Sequence, residues 1–184
     1  EKTGWVYLVG AGCGEADLIT LRGMALLRNC DAVVYDDLIS KELLDAVPPQ
    51  AEKIYMGKRS GHHSAAQKEI CAVLIRLAKE GKSVVRLKGG DPFIFGRGGE
   101  EALALQQAGV PCQVVPGISS AIAIPAWAGI PVTCRGVSQS YTSLPPIPRI
   151  RRMGCRPILT AWLPCREPWS FLWDFLVWSG SHAA

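Results

Sequence analysis

The chain reads as an α/β protein built on a parallel sheet. Three observations predict this. Short apolar runs recur along the first 142 residues. Each is followed by a longer segment with helical spacing or by a glycine-rich turn. Strands that alternate with helices lie parallel and are joined by βαβ crossovers. In such sheets ligands bind beyond the carboxyl ends of the strands.

The elements follow in order. Residues 5–9 (WVYLV) form an apolar run stopped by Gly10, the mark of a buried strand. The spacing predicts a helix over 18–30 and a second strand over 32–35. Ser40 is placed to cap a short helix ending near Val47, and 54–56 is a third strand. Ser64 and Gln67 have capping-box spacing ahead of a helix with Ile70, Val73, Leu74 and Leu77 on one face. Gly81 stops that helix. A strand at 84–87, a helix over 99–108, a strand at 112–115 and a helix over 119–127 complete the pattern.

Composition narrows the function. Of 184 residues, 48% are hydrophobic and 20% charged, which suits a globular core. No apolar run reaches membrane-spanning length, and no basic-then-apolar leader precedes the first strand. Seven cysteines lie scattered, with no CxxC pair and no metal-ligand spacing to the three histidines. Reduced thiols, a cytoplasmic location and no metal are expected. The net charge of +4 is concentrated late: Arg149, Arg151, Arg152, Arg156 and Arg166 face only Glu167 and Asp174. The rest is nearly neutral, which argues against a nucleic-acid surface.

Chemistry-bearing residues gather in VVRLKGGDPFIFGRGGEE, residues 84–101. Its five glycines let backbone approach a ligand closely. Asp91 offers a carboxylate to hydroxyl or amino groups, and Arg86, Lys88 and Arg97 supply cations. Gly89, Gly90, Asp91 and Ile94 are expected to line a cleft at the strand ends. Gly10, Gly12 and Gly14 give G-x-G-x-G rather than G-x-G-x-x-G, so a Rossmann dinucleotide site is not predicted. Asp36 and Asp37 are adjacent, so at least one should be paired or face solvent.

The 84–101 stretch resembles the signature of the tetrapyrrole methylases that C-methylate uroporphyrinogen III. Three further segments are similar at consistent spacing. They are VYLVGAGCGEADLITLRG (6–23), VVYDDLIS (33–40) with YMGKRSGHH (55–63), and VVPGISSAIAIPAWAGIPVT (114–133) with RGVSQS (135–140). The resemblance implies the family's own parallel-sheet first domain over 1–142, not a Rossmann fold. It implies S-adenosylmethionine-dependent methylation of uroporphyrinogen III, twice, to precorrin-2, with no metal. Another precorrin methyltransferase or a non-catalytic cofactor-binding remnant are the alternatives. A tetrapyrrole substrate and a possible homodimer are implied, with neither nucleic acid nor membrane as partner.

By this resemblance Gly12, Cys13 and Gly14 belong to the cofactor site, where the family usually has Pro in place of Cys13. Gly89, Gly90, Asp91, Ile94, Ser119 and Ser120 join them. Asp36 matches a proposed proton acceptor and Lys58 a proposed donor. Arg59, Arg97 and Arg135 are expected at the substrate's carboxylates, with Arg86 and Lys88 as further cations, and His63 as a substrate contact or part of the loop's structure. Cys134 stands where the family commonly shows His.

Composition breaks at residue 142. Residues 143–184 hold four of six Trp and six of thirteen Pro but two of nineteen Gly, with no periodicity. A shifted reading frame from about Ile147 gives a translation resembling the start of the family's second domain. A non-family, poorly folded tail is therefore expected over 143–184. The family's cofactor lies between two domains, so a chain with this tail is expected to be a poor catalyst.

Overall fold

The computed structural model describes residues 3–57 and 63–143, without the side chains of 63–66. The chain divides into two compact units, Glu1–Ser120 and Ala121–Ala184.

The first unit carries a five-stranded sheet. Its elements are β1 (Val6–Gly10), α1 (Leu21–Leu27), β2 (Ala32–Tyr35), α2 (Lys41–Asp45), β3 (Glu52–Tyr55), α3 (His63–Lys79), β4 (Val84–Lys88), α4 (Gly98–Gln107) and β5 (Cys112–Val115). The strand order is β3-β2-β4-β1-β5 and every pairing is parallel. This differs from the 3-2-1-4-5-6 order of the Rossmann fold. Because all strands run one way, all five carboxyl ends reach one edge.

Alternation along the strands divides the core into two layers. Val9, Val33, Val85 and Leu87 pack with Leu27 of α1 and Leu43 of α2. Val6, Leu8, Val34 and Val84 pack on the other face with Leu74 and Leu77 of α3 and Leu105 of α4. Both faces of the sheet are covered, which explains why its inner strands read as continuous apolar runs.

Boundaries moved where local chemistry outweighed periodicity. The helix expected over 18–30 is shorter. Ala16–Leu18 forms a 3₁₀ turn, and Thr20 caps α1 by accepting from the Gly23 N–H at 3.1 Å. A Thr hydroxyl in extended backbone satisfies an orphan amide and sets the start. Ser40 holds the N-cap position of α2 but makes no capping bond. The Ser64–Gln67 box does not form: α3 already includes Ser64, and the Gln67 amide donates to Glu101 instead. The helix expected over 119–127 begins at Ser120 (α5, Ser120–Trp127).

The second unit contains most of α5, whose end is turned by Gly129 in the left-handed region at φ 72°. A small antiparallel bridge, Cys134 with Ser138, follows. The expected tail lies outside the described residues, apart from Ser143. Among the described residues no helix is long and apolar enough to cross a membrane.

Two outcomes follow. Leu74 is fully buried; Leu74→Ala is expected to lower stability by about 2–5 kcal/mol, measured by urea unfolding. Burial pushes the Cys30 thiol up to about 11, whereas Cys134 is exposed. Little Cys30 thiolate exists at roughly pH 8, since only the thiolate reacts. Brief iodoacetamide treatment read by peptide mass spectrometry should label Cys134 and leave Cys30 unmodified.

Candidate active site

Three adjacent strands deliver three loops to the carboxyl edge. After β1 comes Gly10-Ala11-Gly12-Cys13-Gly14, after β4 Gly89-Gly90-Asp91, and after β5 Pro116-Gly117-Ile118-Ser119. The first two are tied by backbone bonds. The Ala11 N–H donates to the Lys88 carbonyl at 2.8 Å, and Gly12 and Gly90 exchange N–H···O bonds of 3.2 and 2.6 Å. Asp91 ties in the third: its Oδ2 accepts from the Gly117 N–H at 3.0 Å, and its Oδ1 from the Phe93 N–H at 2.8 Å.

Backbones this close exclude side chains. A Cβ on Gly10 would lie 2.6 Å from the Gly117 Cα and 2.7 Å from the Gly90 carbonyl oxygen. One on Gly117 would be driven into that same Gly90 oxygen. Gly90 has φ 66°, which L side chains rarely adopt. The glycines were expected to let backbone approach a ligand closely. They also let two loops meet, since the amides of Gly12 and Gly90 bond each other's carbonyls.

The loop after β2 lies beside this cluster. A Cβ on Gly89 would be 2.8 Å from the Leu38 Cβ. Asp36 and Asp91 thus stand at the same strand-end edge. Asp36 Oδ1 accepts from the Leu38 N–H at 3.1 Å, and Oδ2 pairs with Arg86 Nη2 at 3.1 Å. The neighbouring Asp37 accepts from the Tyr55 hydroxyl. Both adjacent acids are therefore paired, as their proximity requires. Phe93, Ile94 and Phe95 are exposed in succession along the Asp91–Arg97 turn.

Arg86 and Lys88 are not where a substrate could reach them. Both point to the α3/α4 face of β4 and are only 3% and 5% exposed. Their common partner is Glu101 of α4, which is fully buried. Its Oε1 accepts from Lys88 Nζ at 3.0 Å, from Gln67 Nε2 at 3.0 Å and from Arg86 Nε at 3.4 Å. A cation inside a core needs such a partner, because desolvating an unpaired charge costs far more than packing returns. Burial, with Arg86 beside it, pushes the Lys88 ammonium below the ordinary lysine range, and Glu101 opposes that shift.

The remaining expected residues divide. Cys13 is partly buried, and its thiol is pushed up by that burial. Ser119 is buried and Ser120 half-buried at the end of the third loop. Arg97 sits in the left-handed region at φ 57° and grips Glu100 with two contacts of 2.8 and 2.7 Å. Arg135 is exposed in the second unit. Lys58 and Arg59 lie outside the described residues, as does the side chain of His63. Among the described residues no group of three or more His, Cys, Asp or Glu could hold a metal ion.

Glu101 is the residue that sequence reasoning passed over. A signal existed: two cations at i and i+2 in a strand flanked by buried strands share one face and need a buried anion.

Together these features define an α/β protein with a strand-end site made of touching loops, an acidic rim and an apolar turn. The pattern of the Tetrapyrrole (Corrin/Porphyrin) Methylases matches residues 5–160, and the chain belongs to that family. It is similar to a uroporphyrinogen-III C-methyltransferase of Methanocaldococcus jannaschii, 60% identical over 140 residues, which are 76% of this chain and 58% of the relative. A crystal structure of uroporphyrin-III-C-methyltransferase from Thermus thermophilus matches with TM-score 0.66 at 43% identity, over 76% of this chain and 59% of that one. The Thermus thermophilus enzyme complexed with S-adenyl homocysteine matches with TM-score 0.62 at 45% identity, over 75% and 54%. The chain spans less than two thirds of the length of these relatives.

The loop contacts make one substitution change sign with position. Gly117→Ala should destabilise by about 1–3 kcal/mol, because backbone must move to admit the methyl group. Gly99→Ala, in α4 with nothing within 4 Å of the added Cβ, should stabilise by about 0.4–1 kcal/mol. Urea unfolding of both variants checks this.

Proposed function

We propose that this chain binds S-adenosylmethionine at the strand-end loops and C-methylates uroporphyrinogen III, twice, to precorrin-2. The observation that carries the reading is the three-loop junction of Gly10, Gly90 and Gly117 locked by Asp91. It lies on the carboxyl edge, where α/β sheets take ligands. Family membership and similarity to a uroporphyrinogen-III C-methyltransferase support the reaction class. Similarity to a structure complexed with S-adenyl homocysteine supports the methyl donor.

The residues fit that donor. Its sulfonium and amino groups are cationic, and this edge presents Asp91 and Asp36, while Arg86 and Lys88 are turned inward. In this reading Gly12, Cys13, Gly14, Gly89, Gly90, Asp91, Ile94, Ser119 and Ser120 form the wall that holds it. When bound, S-adenosylmethionine supplies a methyl group already activated on sulfur. The protein then has to align the macrocycle, exclude water and take up the proton the macrocycle releases.

Asp36 is the proposed acceptor of that proton. A carboxylate has about four acceptor sites, and Arg86 and Leu38 occupy two. Lys58 is proposed as the partner that returns a proton. The exposed Phe93, Ile94 and Phe95 suit the apolar faces of a tetrapyrrole. Its carboxylates suit Arg59, His63, Arg97 and Arg135, with Arg97 exchanging its exposed pairing with Glu100. Residues 1–142 are taken as the family's first domain and 143–184 as a departing tail, into which the family pattern runs as far as residue 160.

The test combines binding and turnover. Calorimetry with S-adenosylhomocysteine should give saturable one-site binding that Asp91→Asn weakens. With S-adenosylmethionine and uroporphyrinogen III under single-turnover conditions, the chain should form precorrin-2, detected by absorbance and mass spectrometry. Asp36→Asn should slow formation by roughly a hundredfold or more, the usual worth of a positioned base. No binding and no precorrin-2 would sink the reading. Turnover undiminished in Asp36→Asn would remove the role given to that residue.

A further inference from the structure

The Arg86 side chain is held at nearly every donor. Its Nε donates to Glu101 Oε1 at 3.4 Å, and its Nη1 donates to the Val34 and Leu87 carbonyls at 3.3 and 3.1 Å. Only Nη2 reaches the edge of the sheet, where it meets Asp36 Oδ2 at 3.1 Å. Glu101 is itself fixed by Lys88 of the same strand and by Gln67 of α3. Its other oxygen, Oε2, is buried with no hydrogen-bond partner among the described residues. Two buried cations therefore face one buried carboxylate. The charge left over is carried by a guanidinium aimed at Asp36.

Stability alone does not call for this arrangement. Replacing a buried ion cluster by apolar side chains of similar volume is often neutral or stabilising. The inward contacts of Arg86 would also be complete without Asp36. What the cluster adds is a planar fork at a fixed position beneath one carboxylate of the site's rim. Among the described residues, Tyr55 and Lys88 feel the charge of that carboxylate, and Asp37 adjoins it. Asp37 is occupied by Tyr55, and Lys88 by Glu101. Arg86 alone among these described groups is bonded to Asp36.

We propose that Arg86, anchored by Glu101, is a positioning residue that fixes the orientation of the Asp36 carboxylate for proton transfer. This rests on the reading of Asp36 as the proton acceptor. Arg86 acts through Asp36 and touches neither substrate nor donor. A guanidinium can do this and an ammonium cannot, because only the rigid fork spans Glu101, two carbonyls and Asp36 at once.

The experiment measures single-turnover precorrin-2 formation by wild type, Arg86→Met, Arg86→Lys, Asp36→Asn and Asp36→Asn/Arg86→Met. It also measures S-adenosylhomocysteine affinity and amide exchange at Leu38, whose N–H bonds to Asp36. Arg86→Met should slow turnover by roughly ten- to a hundredfold, the usual effect of misplacing a catalytic group by about an ångström. It should leave S-adenosylhomocysteine affinity unchanged and speed Leu38 exchange. Arg86→Lys, which keeps the charge and loses the fork, should fall between; it carries the test if the Met variant does not fold. In the Asp36→Asn background, losing Arg86 should cost nothing further.

Two results overturn the proposal while leaving the reading of the activity intact. One is that Asp36→Asn is slow while folded Arg86→Met or Arg86→Lys matches wild type. The other is that the double variant loses the full Arg86 factor again. Wild-type turnover in Asp36→Asn, or no turnover in wild type, overturns the reading of Asp36 or of the activity and the proposal with it.

Discussion

One carboxylate oxygen, Oε1 of Glu101, is the point on which the buried electrostatics of this domain converge. It takes a donor from β4 through Lys88, another from β4 through Arg86, and a third from α3 through Gln67. α4 brings the anion, so one interaction joins two helices and the middle strand of the sheet. Removing one partner of such a cluster costs about 3–5 kcal/mol, because the others are left charged and dry. The same cluster reaches the edge of the sheet at Asp36. Core and site are thus parts of one charge arrangement, and the position of the rim carboxylate is inherited from the packing of α4.

The second constraint is steric. Gly10, Gly90 and Gly117 bring three strand ends within backbone contact, and Asp91 bonds the third loop to the second. This junction is stiff because each contact is backbone to backbone or backbone to a short side chain. It explains the density of glycine in the sequence better than ligand access alone does. Gly90 is needed for its left-handed backbone, Gly117 for the absence of a Cβ. The apolar turn at Phe93–Phe95 departs from this rigid base, and its own positive φ at Phe95 holds it away from regular structure.

Much of this was legible in the sequence. β2 and β5 fall on the residues their apolar runs mark, and β2, buried on both faces, has no other pattern to follow. Asp36, Asp91 and the glycine loops each follow a strand, and parallel strands bring such ends to one edge. The failures were local or long-range. Periodicity over-extended α1 because it does not weigh the Thr20 cap. The capping box at Ser64 failed because Gln67 had a better partner in Glu101. Arg86 and Lys88 were read as facing a substrate, since a strand's sequence does not say what anion a later helix will bring. That information lies 13 and 15 residues downstream, at a residue whose own neighbourhood suggests only a helix start.

The strand order has a consequence for how the chain is made. β2 and β3 are sequence neighbours and pair with each other, so that edge of the sheet can close early. β1 pairs only with β4 and β5, Val6 against Val84 and Cys112. β1 therefore finds its first neighbour only after β4 has been made. At about 5–20 residues per second, an apolar strand waits several seconds with both edges bare. Until β4 and α4 have docked, Arg86, Lys88 and Glu101 stay hydrated, so desolvating these charges follows the sheltering of β1. Nascent chains of this topology pass through an interval in which an apolar strand stands exposed to aggregation.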